Sequence, residues 1–341
     1  MKFRENVSLA RYSHLKIGGP ARFFFEAKTE RDIVEALAEA KRRRLPIFVL
    51  AGGTNLLIDD KGFAGLTLRP MVSGIRRLRG VRPSSAPGEV LVEAGAGVAM
   101  ADLVRFASTH GFAGLAWAGG LPGTVGGAVR GNAGCFGGEM KDAIVSVRSV
   151  DVRTRAGVTR TAKECRFGYR DSVFKKKERR KGGGEIITGV TFRLVKGDRS
   201  AIARAVREKI AYRAAHQPLD YPNIGSIFKN VPLETLYPKT SANYRVAIAA
   251  GELTVRGVRC GVKTDPFPVI AAARLIAESG LRGVSIGGAM VSVKHPNFIV
   301  NALGADAWDI AVLIRLVKEV IWRRFGVRLE EEVQVVYNEG I

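Results

Sequence analysis

The chain has 341 residues, 46% of them hydrophobic and 8% aromatic, enough to build two or three cored domains and too much for a disordered protein. Its 54 Lys and Arg outnumber 32 Asp and Glu, and the resulting charge of +22 attracts polyanions and speeds encounter with anionic small molecules. No apolar run approaches the ~20 residues that span a bilayer, the start MKFRENVSLARYS lacks the apolar centre of a signal peptide, and Cys135, Cys165 and Cys260 lie too far apart for a zinc or dithiol motif. The expectation is a cytoplasmic protein, not inserted in a membrane, with reduced thiols and no metal.

Behind Thr29-x-x-Asp32, residues Ile33, Val34, Leu37 and Ala38 recur at helical spacing and predict a helix ending in the basic run Lys41-Arg42-Arg43-Arg44. Ile47-Phe48-Val49-Leu50 then reads as a short buried strand entering Ala51-Gly52-Gly53-Thr54-Asn55. A strand that meets a glycine turn can aim main-chain N–H groups at a phosphate, although a tight strand-to-strand turn uses the same glycines. Residues 90–94 predict a strand and 99–107 a helix ending at His110-Gly111. The next stretch, GLAWAGGLPGTVGGAVRGNAG at 114–134, holds too many glycines for an ordinary helix or strand. Its backbone is therefore itself in use, as a cradle or as a packing corner. Two such loops about seventy residues apart suit one long diphosphate ligand such as a dinucleotide. No G-x-G-x-x-G opens a helix after a strand here, so a Rossmann fold is not expected.

Residues 144–194 alternate apolar and polar side chains and predict strands, closing with 185–192 and enclosing Phe167-Gly168-Tyr169-Arg170-Asp171-Ser172. A boundary falls near Lys196-Gly197-Asp198. Beyond it come a helix at 200–215 with Ile202, Val206 and Ile210 on one face, a helix at 268–279, strands around 289–293 and 297–301, a helix at 306–325 and a strand at 332–337. The class is α+β without an internal repeat, in segments 1–72, 73–197 and 198–341. The basic run at 41–44 and the run Lys175-Lys176-Lys177 with Arg179, Arg180 and Lys181 have no interleaved aromatics to stack on bases, so they read as solvated surface and not as nucleic-acid contacts. Within NIGSIFKN, at 223–230, Ser226 has no Gly-x-Ser-x-Gly elbow, and none of His14, His110, His216 and His295 pairs with it locally, which argues against a nucleophile.

Seven stretches, in order, resemble the UDP-N-acetylenolpyruvoylglucosamine reductase family over nearly the whole chain: Ile17-Gly18-Gly19-Pro20-Ala21; Gly52-Gly53-Thr54-Asn55-Leu56-Leu57; Leu121-Pro122-Gly123-Thr124-Val125-Gly126-Gly127-Ala128 with Asn132-Ala133-Gly134; Gly168-Tyr169-Arg170-x-Ser172; Gly225-Ser226-x-Phe228-Lys229-Asn230; His295-x-Asn297-Phe298-Ile299-x-Asn301; and Leu329-Glu330-x-Glu332-Val333. The resemblance implies the FAD-binding fold of the vanillyl-alcohol-oxidase type, with two α+β subdomains at 1–72 and 73–197, followed by an α+β substrate-binding domain at 198–341. It implies an enzyme that reduces UDP-N-acetylglucosamine enolpyruvate to UDP-N-acetylmuramate, for peptidoglycan precursor synthesis, with FAD bound and NADPH as hydride donor. A monomer is the expectation, though the sequence does not itself encode the oligomeric state.

For FAD the resemblance points to Gly52, Gly53, Thr54, Asn55, Leu56, Pro122, Gly123, Thr124, Gly126, Gly127, Ala128, Asn132, Gly134 and Ile187. As catalytic residues it implies Arg170, whose planar fork suits a developing enediolate, Glu332, which can hydrogen-bond the same oxygen, and Ser226 as proton donor to the substrate carbanion. Three consecutive glutamates leave Glu330 and Glu331 as alternatives to Glu332. Tyr169, Arg213, Gln217, Lys229 and Asn230 are the implied substrate contacts, with Lys229 and Asn230 on the diphosphate. The chain resembles the shorter, type II members, which lack an extra tyrosine-bearing loop. It departs from the family in having His14 where threonine is common and in an extension over about 231–269, whose 247–262 part reads as a hairpin and whose position suggests a lid over the UDP end.

Overall fold

The computed structural model describes residues 1–78, 88–178, 184–264 and 267–338. Among them the helix Glu30–Arg42 begins where the sequence signals it. The Thr29 side chain accepts the Asp32 N–H at 3.0 Å, and the Asp32 carboxylate accepts the Thr29 N–H at 2.9 Å. Its buried stripe of Ile33, Ala36, Leu37 and Ala40 joins a core with Leu66 and Leu68 of the strand Phe63–Pro70. That strand lies in a four-stranded sheet, between Pro20–Ala27 and Ile47–Val49 and parallel to both, with Arg4–Ser8 antiparallel at the edge. Arg42 and Arg43 of the basic run both pair with Glu39.

A second sheet, of six strands, centres on Glu185–Lys196, which lies between Ile144–Asp151 and Glu89–Gly95; Gly157–Thr161 and Ile75–Leu78 form its outer strands, and Phe112–Ala113 pairs with the end of the central one. The helices Met100–Thr109 and Val125–Arg130 pack in its core through Leu103, Val104, Val125 and Val129. A helix inside the glycine-dense stretch departs from the sequence reading. Six residues suffice because Thr124 caps it, and Gly126 comes so close to the neighbouring chain that a Cβ there would sit 2.9 Å from that of Ala96.

The Asp198 side chain accepts the Ala201 N–H at 2.6 Å and starts the helix Arg199–His216. The last large core packs the helix Ala307–Phe325 against Ala272–Glu278 and short strands. The described part of the 231–269 segment also contributes to this core, through Leu233, Ala247, Leu253 and Cys260. The hairpin expected at 247–262 is shorter. Ser241 caps a helix Ala242–Ala250, Gly251 ends it at φ 68°, and only then do Glu252–Val255 and Val258–Lys263 pair across Arg256-Gly257, whose positive φ angles suit a two-residue turn. The final strand Gln334–Val336 returns to pair in parallel with Leu56–Ile58, beside the first glycine loop. No described helix is long and apolar enough to cross a membrane.

Candidate active site

The two glycine loops back onto each other. A Cβ on Gly52 would lie 2.6 Å from the Gly123 Cα, and one on Gly53, at φ 65°, would lie 1.9 Å from the Tyr12 carbonyl oxygen. Close backbone approach thus requires these glycines, and it leaves main-chain donors over. Among the described residues, no acceptor takes the N–H groups of residues 51–55 or of Gly123 and Thr124. Those of Gly126, Gly127 and Ala128 are engaged with Ala96 O, Thr124 Oγ1 and Thr124 O. A run of unpartnered N–H groups beside a left-handed glycine has the make-up of an anion cradle. The cavity over it, about 850 Å³, is lined by Ala51 to Leu56, Gly120 to Thr124, Gly127, Ala128, Gly134 and Cys135 on this side. These residues fit a dinucleotide's diphosphate.

Ser226, Arg170 and Glu332 line the same cavity. Residues 227–230 and 330–332 form a short antiparallel clasp. Glu332 N–H donates to Ile227 O at 2.8 Å, and Lys229 N–H donates to Glu330 O at 2.9 Å. Buried Asn297 locks it: its carbonyl accepts from Ile227 N–H (2.8 Å), Oδ1 accepts from Phe228 N–H (3.0 Å), and Nδ2 donates to Phe228 O (2.8 Å). Just before the clasp, Gly225 at φ 83° gives its N–H to Asn223 Oδ1, and the Ser226 hydroxyl is engaged by no described residue. The clasp also sorts the three glutamates. Glu330 pairs with Lys229, Glu331 with Lys318 at 2.7 Å, and Glu332 with Arg170; of the three, only Glu332 lines the cavity.

Arg170 Nη2 donates to Gly134 O at 2.7 Å, and Nε stands 2.8 Å from Glu332 Oε1. The second contact is an ion pair and not an aligned hydrogen bond, since the buried Nε–H has no well-directed acceptor. Burial, the largest single influence, opposes the charge on Arg170, but Glu332, Tyr169 and Glu139 together outweigh it and raise the pKa above the ordinary arginine value. The guanidinium lies 5.1 Å from the centre of the Tyr169 ring. Burial also raises the Tyr169 pKa, so its hydroxyl stays protonated.

The remaining expected residues divide. Arg213 and Gln217 line the cavity, but Arg213 already donates to Gly119 O at 2.9 Å and Cys135 Sγ at 2.8 Å, as a brace between the helix Arg199–His216 and the second glycine loop. Tyr169, Lys229 and Asn230 lie outside the lining: the Tyr169 hydroxyl accepts the Asn230 N–H at 3.2 Å, and its ring packs edge-on against Phe267. Gly126, Asn132 and Ile187 do not line it either. Asn132, fully buried, donates to Gly168 O at 2.9 Å and to Glu139. None of residues 231–264 or 267–269 lines the cavity, and Leu233, Ala247, Leu253 and Cys260 of the extension are buried in the large core, which does not support a lid over the cavity.

His14 does line it, with its N–H donating to Gly53 O; burial and then Lys16 lower its pKa, which favours the neutral ring. The sequence reading missed Lys175. It is 9% exposed, lines the cavity and donates from Nζ to Arg170 O at 3.0 Å, where a run of three lysines reads as surface. Arg179, Arg180 and Lys181 of the same run lie outside the described residues.

Residues 21–161 match the family model for an FAD binding domain, and residues 217–336 match that for the C-terminal domain of UDP-N-acetylenolpyruvoylglucosamine reductase. With the anion cradle on the first of these, they define an FAD-binding oxidoreductase of α+β fold. Relatives named UDP-N-acetylenolpyruvoylglucosamine reductase include one from Heliobacterium modesticaldum, 35% identical over 99% of this chain and 92% of its own, and one from Lactobacillus delbrueckii subsp. bulgaricus, 33% identical over 99% and 97%. The crystal structure of the reductase of that name from Thermus caldophilus is 31% identical and aligns over 98% of this chain and 99% of its own with a TM-score of 0.68. The chain belongs to the UDP-N-acetylenolpyruvoylglucosamine reductase family.

Proposed function

We propose that the chain reduces the enolpyruvyl ether of UDP-N-acetylglucosamine enolpyruvate to the lactyl ether of UDP-N-acetylmuramate, in peptidoglycan precursor synthesis, with Arg170, Ser226 and Glu332 as catalytic residues. One observation carries this reading: these three side chains, from distant parts of the sequence, line the same cavity as both glycine loops. FAD, when bound, would supply hydride chemistry for reduction of the enol ether, with NADPH as the donor that reduces it. Residues 51–55 with Gly123 and Thr124 would hold its diphosphate through main-chain N–H groups, within subdomains at 1–72 and 73–197.

Once the β-carbon has gained a hydride, the α-carbon and its carboxylate carry negative charge. Arg170, held between Gly134 O and Glu332, presents a fixed cation to both carboxylate oxygens. Glu332, when protonated, donates a hydrogen bond to the same group. The Ser226 hydroxyl, without a competing acceptor among the described residues, gives its proton to the α-carbon. A hydroxyl is a weak acid, but a carbanion is a stronger base than the alkoxide left behind.

The purified protein should be yellow, bleach with NADPH and regain colour with the enolpyruvyl UDP sugar. Ser226→Ala should leave bleaching nearly intact and slow the recovery by a factor on the order of 10² to 10⁴. Equal loss in both halves would remove Ser226 from the role of proton donor.

A further inference from the structure

We infer that Lys175 is a positioning residue for Arg170, a deduction that rests on the reading that Arg170 acts on the substrate carboxylate. Arg170 has a φ of 54°, left-handed backbone that a residue with a Cβ adopts only when its surroundings over-determine it. The ends of its turn are pinned by neutral groups. Gly168 and Asp171 exchange N–H to carbonyl bonds of 2.9 and 3.2 Å, Asn132 Nδ2 donates to Gly168 O, and Ser172 Oγ donates to Arg130 O at 2.6 Å. The carbonyl of Arg170 itself receives Lys175 Nζ at 3.0 Å.

Burying an ammonium is unfavourable unless it is hydrogen-bonded or paired. Here it fixes the one carbonyl whose direction reports ψ of Arg170. Holding that peptide plane sets the direction of the Arg170 side chain, and with it the contacts to Glu332 and Gly134 O. The lysine follows Arg170 by five residues, on the short helix Val173–Glu178, which Ser172 begins by accepting the Lys175 N–H. One sequence stretch thus supplies both the catalytic cation and its support. Because Lys175 also lines the cavity, direct contact with an anionic substrate is the competing role, and charge separates the two.

The test uses the full-length, FAD-loaded enzyme with Lys175→Met and Lys175→Gln, alone and with Arg170→Lys. Recovery of flavin colour at saturating enolpyruvyl UDP sugar should slow by about 10²-fold in Lys175→Met, the loss expected from a misplaced catalytic group. Lys175→Gln, with an N–H donor but no charge, should regain most of that rate. Binding of UDP-N-acetylglucosamine, which lacks the enolpyruvyl carboxylate, should not change. In the Arg170→Lys background, Lys175→Met should cost less than about threefold more, because both changes remove one interaction.

Equal damage in Lys175→Gln and Lys175→Met, full multiplication of the two losses, or weaker binding of both sugars with the saturated rate intact would each overturn the proposal. Should Lys175→Met fail to fold, Lys175→Gln is compared with Lys175→Arg; loss in the glutamine variant alone overturns it as well. The coupling of Lys175→Met with Arg170→Lys is read in thermal unfolding too, without substrate. Coupling there, alongside a Ser226→Ala enzyme equally slow in both half-reactions, would retain Lys175 as the support of Arg170 and reject the reaction reading.

Discussion

Glu330, Glu331 and Glu332 are chemically identical and differ only in what the fold puts opposite each. Glu331 meets Lys318 in a partly exposed pair, whereas the Glu332 side chain, 20% exposed, faces an equally shielded Arg170. Glu332→Gln should therefore lower the saturated rate of substrate reduction by about 10² to 10⁴, while Glu331→Gln should stay within about threefold, as suits an exposed ion pair. Stopped-flow flavin absorbance on both variants measures this, and similar losses in the two would mean that the clasp does not select the glutamate. A motif places the glutamates to within a residue. Choosing among them takes the pairing of 227–230 with 330–332, which depends on Asn297 from a third segment and leaves no periodic trace in either strand. Lys175 was hidden for a related reason: adjacent lysines look alike in sequence, and only the short helix turns the first one inward.

At the level of elements, the capped helices and short apolar strands could be read from the chain, because caps and periodicity act over a few residues. The glycine loops could be located but not understood. Their composition signals backbone use, yet the reason for Gly52 is Gly123, 71 residues away, and the unpartnered donors at 51–55 follow from that contact. Gly52→Ala must push the loops apart, so it should destabilise the protein by about 1–3 kcal/mol and weaken FAD retention. Gly157→Ala, on an outer strand with nothing within 4 Å of the added methyl, should change neither. Thermal unfolding and the ratio of flavin to protein absorbance test the pair. Full FAD occupancy in Gly52→Ala would mean that the cradle tolerates separation of its two halves.

Across the whole molecule, the cavity lies where distant parts of the chain are tied together. Gln334–Val336 pairs with Leu56–Ile58, Asn301 Nδ2 donates to Leu15 O at 3.1 Å, and Asn55 Nδ2 donates to Glu332 O at 3.1 Å, which joins the first glycine loop directly to the clasp that carries Glu332. The core that holds Ile227 and Phe228 of the clasp draws on Leu15, Ile17 and Leu57 from the first sheet's part of the chain and on Leu253 and Cys260 from the extension. A sequence reading treats an inserted segment as an appendage, because its alternation fixes local shape and not what it packs against. Leu253 faces Cys260 across the hairpin, and both are buried, so Leu253→Ala should cost about 2–5 kcal/mol of stability, the usual range for a buried leucine. The Michaelis constant for the UDP sugar should stay within about twofold of wild type at temperatures where the variant is folded, since residues 231–264 contribute nothing to the lining. Deleting 236–264 should therefore yield an unstable chain and not a folded enzyme with weakened substrate binding. A deletion variant with an unchanged melting temperature and a raised Michaelis constant would restore the lid and show that this part of the core is dispensable.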